Sequence, residues 1–87
     1  MLWIVEVKGK AAKTLTQIDK PIRNRIIDYL KQLEAVDNPR IQGKALTGKY
    51  SGLWRYRVGD YRLICQIKDK EIIILVLDID HRKDIYR

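Results

Sequence analysis

Apolar and polar positions follow two rhythms along this chain, and the changes of rhythm divide it into elements. Leu2–Val7, LWIVEV, is short and rich in β-formers, which predicts a first strand. After Gly9, the segment Lys10–Ile18 carries Ala11, Leu15 and Ile18 on one side of a short helix. Asp19 and Pro21 mark a boundary, with Asp19 or Lys20 as cap and Pro21 in the first turn of a second helix. Ile22, Ile26, Tyr29, Leu30 and Leu33 then recur at helical spacing, the strongest periodic signal in the chain. Arg23, Asn24, Asp28, Lys31 and Gln32 fall on the other side. This helix is expected to run to about Val36 and to stop before Asp37-Asn38-Pro39.

Arg40–Gly52 reads as an extended connection, interrupted by Gly43, Gly48 and Gly52 and kept basic by Lys44 and Lys49. The rhythm then changes to a period of two in Leu53–Gln66, LWRYRVGDYRLICQ. Gly59-Asp60, with glycine first, suits a two-residue type II′ hairpin turn. Counting outward from it sets Val58 opposite Tyr61 and Arg57 opposite Arg62, with Arg55 on the same face as the two arginines. The other face carries Trp54, Tyr56, Val58, Tyr61, Leu63, Cys65 and Ile67, apolar enough to lie under the helices. Cys65 is therefore a core residue and not a nucleophile. Ile72–Ile79, IIILVLDI, is an almost continuous apolar run, as in a strand covered on both faces. A two-residue turn at Asp69-Lys70 would pair Lys68 with Glu71 and bring Leu77 beside Arg62. The basic face then shades into apolar surface from Ile64, Ile73, Leu75 and Leu77, for a returning tail or a partner protein to cover. Asp80–Arg87 has room for no more than a turn of helix and leaves the last strand near the arginine face. The order β-α-α-β-β-β predicts an α+β fold. It is a small twisted, mainly antiparallel four-stranded sheet with two N-terminal helices packed on one face.

Composition narrows the partners. The 87 residues fit one domain, 1–87, and 46% hydrophobic with 33% charged residues describes a folded, soluble chain. No run approaches the roughly 18–20 apolar residues of a membrane span, and MLWIVEVKGK lacks the regions of a signal peptide. The single cysteine excludes a disulfide framework and a cysteine-rich metal site. A cytoplasmic protein without cofactor or metal is expected. Eighteen Lys+Arg against eleven Asp+Glu give +7, which favours nucleic acid, a ribosomal surface or an acidic protein without choosing among them. The hairpin is more specific. Like charges directly opposite on a sheet cost roughly 0.2–1 kcal/mol, so Arg57 facing Arg62 beside Arg55 implies an anion. The planar, permanently charged guanidinium fork suits phosphate.

Lys44-Ala45-Leu46-Thr47-Gly48, then Gly52–Leu63 (GLWRYRVGDYRL), then His81-Arg82-Lys83-Asp84-Ile85-Tyr86 together resemble the RelE toxins of bacterial type II toxin–antitoxin modules. These belong to the RelE/ParE superfamily, and the resemblance covers essentially the whole chain. It implies a ribosome-dependent, metal-independent endoribonuclease that cuts messenger RNA in the ribosomal A site, inhibits translation, and is held inactive by a cognate antitoxin. Modules of this kind serve plasmid stabilisation. The implied partners are an acidic antitoxin, ribosome and messenger, with operator DNA reached only through the antitoxin. By position, Arg55 and Arg57 match the basic pair before the turn, often lysines in other members. Arg62 matches the arginine after it, and Arg82 and Tyr86 match the terminal Arg and Tyr. Lys44, Lys49, Lys83 and Arg87 are expected to add RNA or ribosome contacts.

Attack of a ribose 2′-OH on the adjacent phosphate needs a base, an acid and stabilisation of the phosphorane. The sequence shows no histidine pair and no paired carboxylates to divide the proton work. Arginine accepts no proton at neutral pH. Arg55, Arg57 and Arg62 are thus read as electrostatic clamps, with Arg62 on the transition state and Arg57 holding the phosphate. Tyr86 is the candidate for base or for stacking on a nucleotide; as base it needs its ordinary pKa of about 10 lowered by the arginines. Arg82 would assist the leaving 5′-oxygen. His81 is a rival acid–base group, though on the pleat it points away from Arg82. The plainer readings make Arg55 a surface ion-pair residue and Tyr86 packing for the tail. Two other functions share these features: a ParE-type toxin that poisons DNA gyrase without this cluster, and a non-catalytic basic RNA-binding domain.

Overall fold

A computed structural model describes residues 2–82. The elements are β1 (Ile4–Val7), α1 (Gly9–Thr16), α2 (Lys20–Leu33), β2 (Lys44–Ala45), a 3-10 turn (Gly48–Tyr50), β3 (Trp54–Val58), β4 (Tyr61–Lys68) and β5 (Ile73–His81). The strands form one sheet in the order β1-β5-β4-β3-β2. β1 runs parallel to β5, and the other three ladders are antiparallel. The α+β expectation holds, with five strands where four were expected. The added strand is β2, whose two residues have no room to display a period-two pattern inside a glycine-broken segment.

The helices follow their apolar stripes. Ala11 and Ile18 from the α1 region and Ile26, Leu30 and Leu33 from α2 are buried against Tyr56, Val58, Leu63, Cys65, Ile74, Val76 and Ile79 of the sheet. Pro21 sits in the first turn of α2, as its missing N–H and fixed φ allow. α2 ends at Leu33, short of Val36, because the last turn tightens to i→i+3 bonding: the Ala35 N–H donates to the Gln32 carbonyl at 3.1 Å. The chain from Asp37 onward is pinned to the sheet by the buried Tyr56, whose hydroxyl donates to the Pro39 carbonyl at 2.6 Å. Arg40 then closes a two-point ion pair on Asp69, 2.7 and 2.8 Å. Cys65 is fully buried, and burial pushes its thiol up to about 12, far from a reactive thiolate.

The hairpin register is as counted: Val58 pairs with Tyr61 and Arg57 with Arg62. Gly59 has φ +58 and Asp60 does not enter the positive-φ region, as a II′ turn requires. The β4–β5 register differs from expectation. The chain turns through four residues, Asp69–Ile72, instead of two, and Lys68 pairs with Ile73, not Glu71. Ile72 adopts φ 58, unusual for a β-branched residue, with its N–H donating to the Asp69 carbonyl at 3.3 Å. A bulge follows: Cys65 pairs with Val76 but Ile64 with Asp78, leaving Leu77 as the extra residue. Leu77 is therefore not beside Arg62. Asp80 is.

Candidate nucleic-acid interface

The pairings fix which side chains share the sheet face away from the helices. Lys44 pairs with Arg55, Arg55 with Ile64, and Arg57 with Arg62. On the far side Arg62 pairs with Asp80 and Ile64 with Asp78. Since partners across a ladder point the same way, Lys44, Arg55, Arg57 and Arg62 stand in one field, bordered by Asp78 and Asp80. The sheet thus brings together Lys44 and the three hairpin arginines named from the sequence. Arg57 is exposed and Arg55 half-buried, and neither enters an ion pair among the described residues. Two cations side by side on one strand face, without a counter-ion among the described residues, form a ready site for an anion.

Arg62 is different. Its Nη2 lies 3.1 Å from Asp80 Oδ2, with the two side chains 19% and 22% exposed. Its Nε is buried and has no hydrogen-bond partner among the described residues. Asp80 in turn interacts with Asp78: burial raises its carboxyl above the usual range, the hydrogen bond and charge of Asp78 raise it further, and Arg62 opposes them. Asp78 is held at its other side by Lys10 Nζ, 3.3 Å from Oδ2, and its Oδ1 accepts the Ile79 N–H at 2.9 Å. Lys10 is raised by the hydrogen bond to Asp78, then by that carboxylate's charge. Tyr50 adds a smaller effect on Lys10, so the loop after β2 brings a phenol towards the same network. The chain of groups Lys10–Asp78–Asp80–Arg62 was missed in the sequence. Its signal was present: Asp78 and Asp80 are two apart in a strand and share a face. The misjudged turn and the bulge at Leu77 together hid the partner of Asp80.

The remaining candidates are placed as follows. The Arg82 N–H donates to the Asp60 carbonyl at 2.7 Å, which ties the end of β5 to the hairpin turn with the Arg82 side chain exposed. His81 pairs with Tyr61 and stacks edge-on against its ring at 4.9 Å. It belongs to the helix side of the sheet, where it lines a cavity of about 330 Å3 with Arg25, Asp60 and Tyr61. The structure does not bring it to the arginines. Lys49 lies on the 3-10 turn with Nζ 5.2 Å from the centre of the Tyr50 ring. Tyr86, Lys83 and Arg87 lie outside the described residues. Trp54 Nε1 is buried without a hydrogen-bond partner among the described residues, against Gly43, where the backbone passes too close for any Cβ.

Comparison with known proteins agrees with this architecture. Residues 5–86 match the family described as ParE toxin of type II toxin-antitoxin system, parDE. Toxin RelG of Mycobacterium tuberculosis is 42% identical over 45 residues, a match spanning 52% of this chain and 52% of that relative. A chain of the toxin–antitoxin complex RelBE2 from the same organism superposes with a TM-score of 0.84 at 25% identity, over 94% of this chain and 100% of the other. A chain of the archaeal RelE–RelB complex from Pyrococcus horikoshii gives 0.74 at 28% identity, covering 94% and 97%. With nearly its whole length inside the family match and its sheet laid out like those chains, this protein is a toxin of the RelE/ParE superfamily, belonging to the ParE toxin family of type II toxin–antitoxin systems.

Proposed function

We propose that this toxin is a ribosome-dependent endoribonuclease whose open sheet face grips messenger RNA in the A site and cuts it. The observation that carries the reading is the couple Arg55 and Arg57, without a counter-ion among the described residues, with Lys44 opposite Arg55 and Arg62 opposite Arg57. A row of forked cations at strand spacing matches successive phosphates. Arg55 and Arg57 hold the phosphates on either side of the scissile bond, and Arg62 stabilises the phosphorane. Arg82, tied to the hairpin turn, is close to the same end of the sheet and assists the leaving oxygen. Tyr86 stacks on a nucleotide or takes part in proton transfer, and Lys49, Lys83 and Arg87 add contacts to RNA or ribosome. The partner that silences it is an acidic antitoxin: RelBE2 and the Pyrococcus RelE–RelB are toxin–antitoxin complexes, and the +7 charge calls for an acidic complement. We place its action in the cytoplasm, with no cofactor.

The test is single-turnover cutting of ribosome-bound messenger by wild type, Arg57→Ala and Arg62→Ala. Loss of one well-aimed donor costs about 10²–10³ in rate; unchanged cutting by both variants would sink the assignment. The family description names parDE, which favours a second reading, a gyrase-poisoning toxin. In a supercoiling assay that reading gives gyrase inhibition unaffected by the arginine substitutions. A domain that only binds RNA would show binding with steep salt dependence and no cut product on ribosomes.

A further inference from the structure

Arginines supply charge but no proton acceptor, so the proposed cleavage lacks a base on the hairpin itself. The bulge at Leu77 supplies one. It turns Asp80 onto the open face directly opposite Arg62, with one carboxylate oxygen 3.1 Å from the guanidinium. An acceptor is thereby fixed next to the cation assigned to the phosphorane, which is the separation that 2′-OH attack requires of base and phosphate clamp. Asp78, the next residue on that face, is held by Lys10 at 3.3 Å and by the Ile79 N–H at 2.9 Å. It is therefore placed to orient Asp80 instead of competing with it.

We propose that Asp80 is the general base of the cleavage, with Asp78 as its positioning residue; this rests on the endoribonuclease reading above. As the 2′-oxygen forms its bond to phosphorus, its proton passes to the Asp80 carboxylate. The bond from phosphorus to the 5′-oxygen breaks, and that oxygen takes a proton from water. The hydroxide left behind recovers the proton from Asp80, so nothing is consumed. The products are a 2′,3′-cyclic phosphate and a 5′-hydroxyl end. The charged groups facing Asp80 are Arg62 from β4 and Asp78 from its own strand, with Lys10 of α1 beyond Asp78. Burial and the Asp78 carboxylate keep Asp80 titrating above an ordinary aspartate, towards the range where a base works best.

The experiment is single-turnover cleavage of ribosome-bound messenger between about pH 5 and 8 by wild type, Asp80→Asn and Asp78→Asn. Ribosome association and thermal melting are recorded alongside. Asp80→Asn is expected to bind ribosomes as wild type does, to cut about 10²–10⁴-fold more slowly, and to lose the fall in rate on the acid side. Asp78→Asn is expected to move that acid limb to lower pH, because removing a neighbouring negative charge lowers the pKa of Asp80. This readout stands even where Asp80→Asn folds poorly. A messenger with a 5′-sulfur leaving group at the scissile bond is expected not to rescue Asp80→Asn; rescue would make Asp80 the acid and overturn the proposal. Wild-type cutting with an unaltered rate in Asp80→Asn, or an acid limb unmoved in Asp78→Asn, overturns it while leaving the function intact. A wild type that cuts nothing on ribosomes removes both.

Discussion

Replacing Arg62 with methionine keeps an unbranched apolar stem and removes the charge that faces Asp80. The size of the effect follows from the exposure of the pair. Solvent-exposed ion pairs are worth about 0–1 kcal/mol, and breaking a fully buried one costs about 3–5 kcal/mol because a charge is left behind. Arg62 and Asp80 are 19% and 22% exposed and joined through one contact of 3.1 Å, which places the loss between those limits, at about 2 kcal/mol. For a domain of this size each kcal/mol lowers Tm by about 4–8 °C, so a drop of about 8–16 °C is expected near pH 7.5. The pH dependence carries the sign. Asp80 titrates higher folded than unfolded, so the folded chain binds more protons in the interval between the two values, and stability falls as pH rises through it. Arg62 is the one group opposing that shift; without it the interval extends upward. Circular-dichroism melts at several pH values should therefore show Arg62→Met most destabilised at neutral pH and recovering towards about pH 5. Adding Asp80→Asn should restore most of the loss. Equal penalties at all pH values, or a double variant as unstable as Arg62→Met, would refute the reasoning.

Tyr56→Phe removes the buried donor to the Pro39 carbonyl and should cost about 1–3 kcal/mol in chemical denaturation; an unchanged midpoint would mean that the loop does not depend on it. Gly43→Ala drives a methyl into the Trp54 indole and the Arg55 carbonyl, the latter fixed backbone. A loss of about 1–3 kcal/mol should appear in melts, together with weaker amide protection in β2. Gly59→Ala has space around it, with Arg25 no nearer than 3.6 Å, but must hold φ +58. It should lose about 1–2 kcal/mol without changing the fold of the helices. Lys10→Ala frees the Asp78 carboxylate, and a surface contact of this kind should move Tm by a few degrees at most.

How far the sequence could be read depended on whether a pattern was local. The α2 stripe and the Arg57–Arg62 pairing needed only a helical period and one two-residue turn, and both appear as counted. The edge strand β2 was invisible because two residues carry no period, and its pairing depends on Gly43 admitting the Trp54 ring. The partner of Arg62 was misassigned because two local irregularities added up. The connection is two residues longer, through an isoleucine in the left-handed region, and Leu77 is bulged. No propensity scale foretells a β-branched residue at φ 58. The three hairpin arginines were legible as types and spacings; the place of Lys44 beside them and their acidic border were not, since these exist only once β2 and β5 have found their registers.

That register divides the arginines by what they are free to do. Arg55 and Arg57 have no counter-ion among the described residues, so an arriving phosphate meets them without first displacing a carboxylate. Arg62 is already neutralised by Asp80, and its buried Nε has no partner among the described residues. A buried donor left unmade costs about 1–3 kcal/mol, which a ligand oxygen reaching Nε would recover. The same guanidinium can therefore hold Asp80 through Nη2 and donate to a phosphoryl oxygen through Nε, linking the two without releasing either. On this arrangement the unpaired arginines govern capture and Arg62 governs the chemical step. Substitution at Arg57 should then raise the toxin concentration needed for half-maximal cutting, while Arg62→Lys, which keeps the charge but lacks a second donor nitrogen, should lower the single-turnover rate at saturation. A lysine variant with wild-type rate at saturation would show that charge alone is needed there, and that the two-sided grip is not.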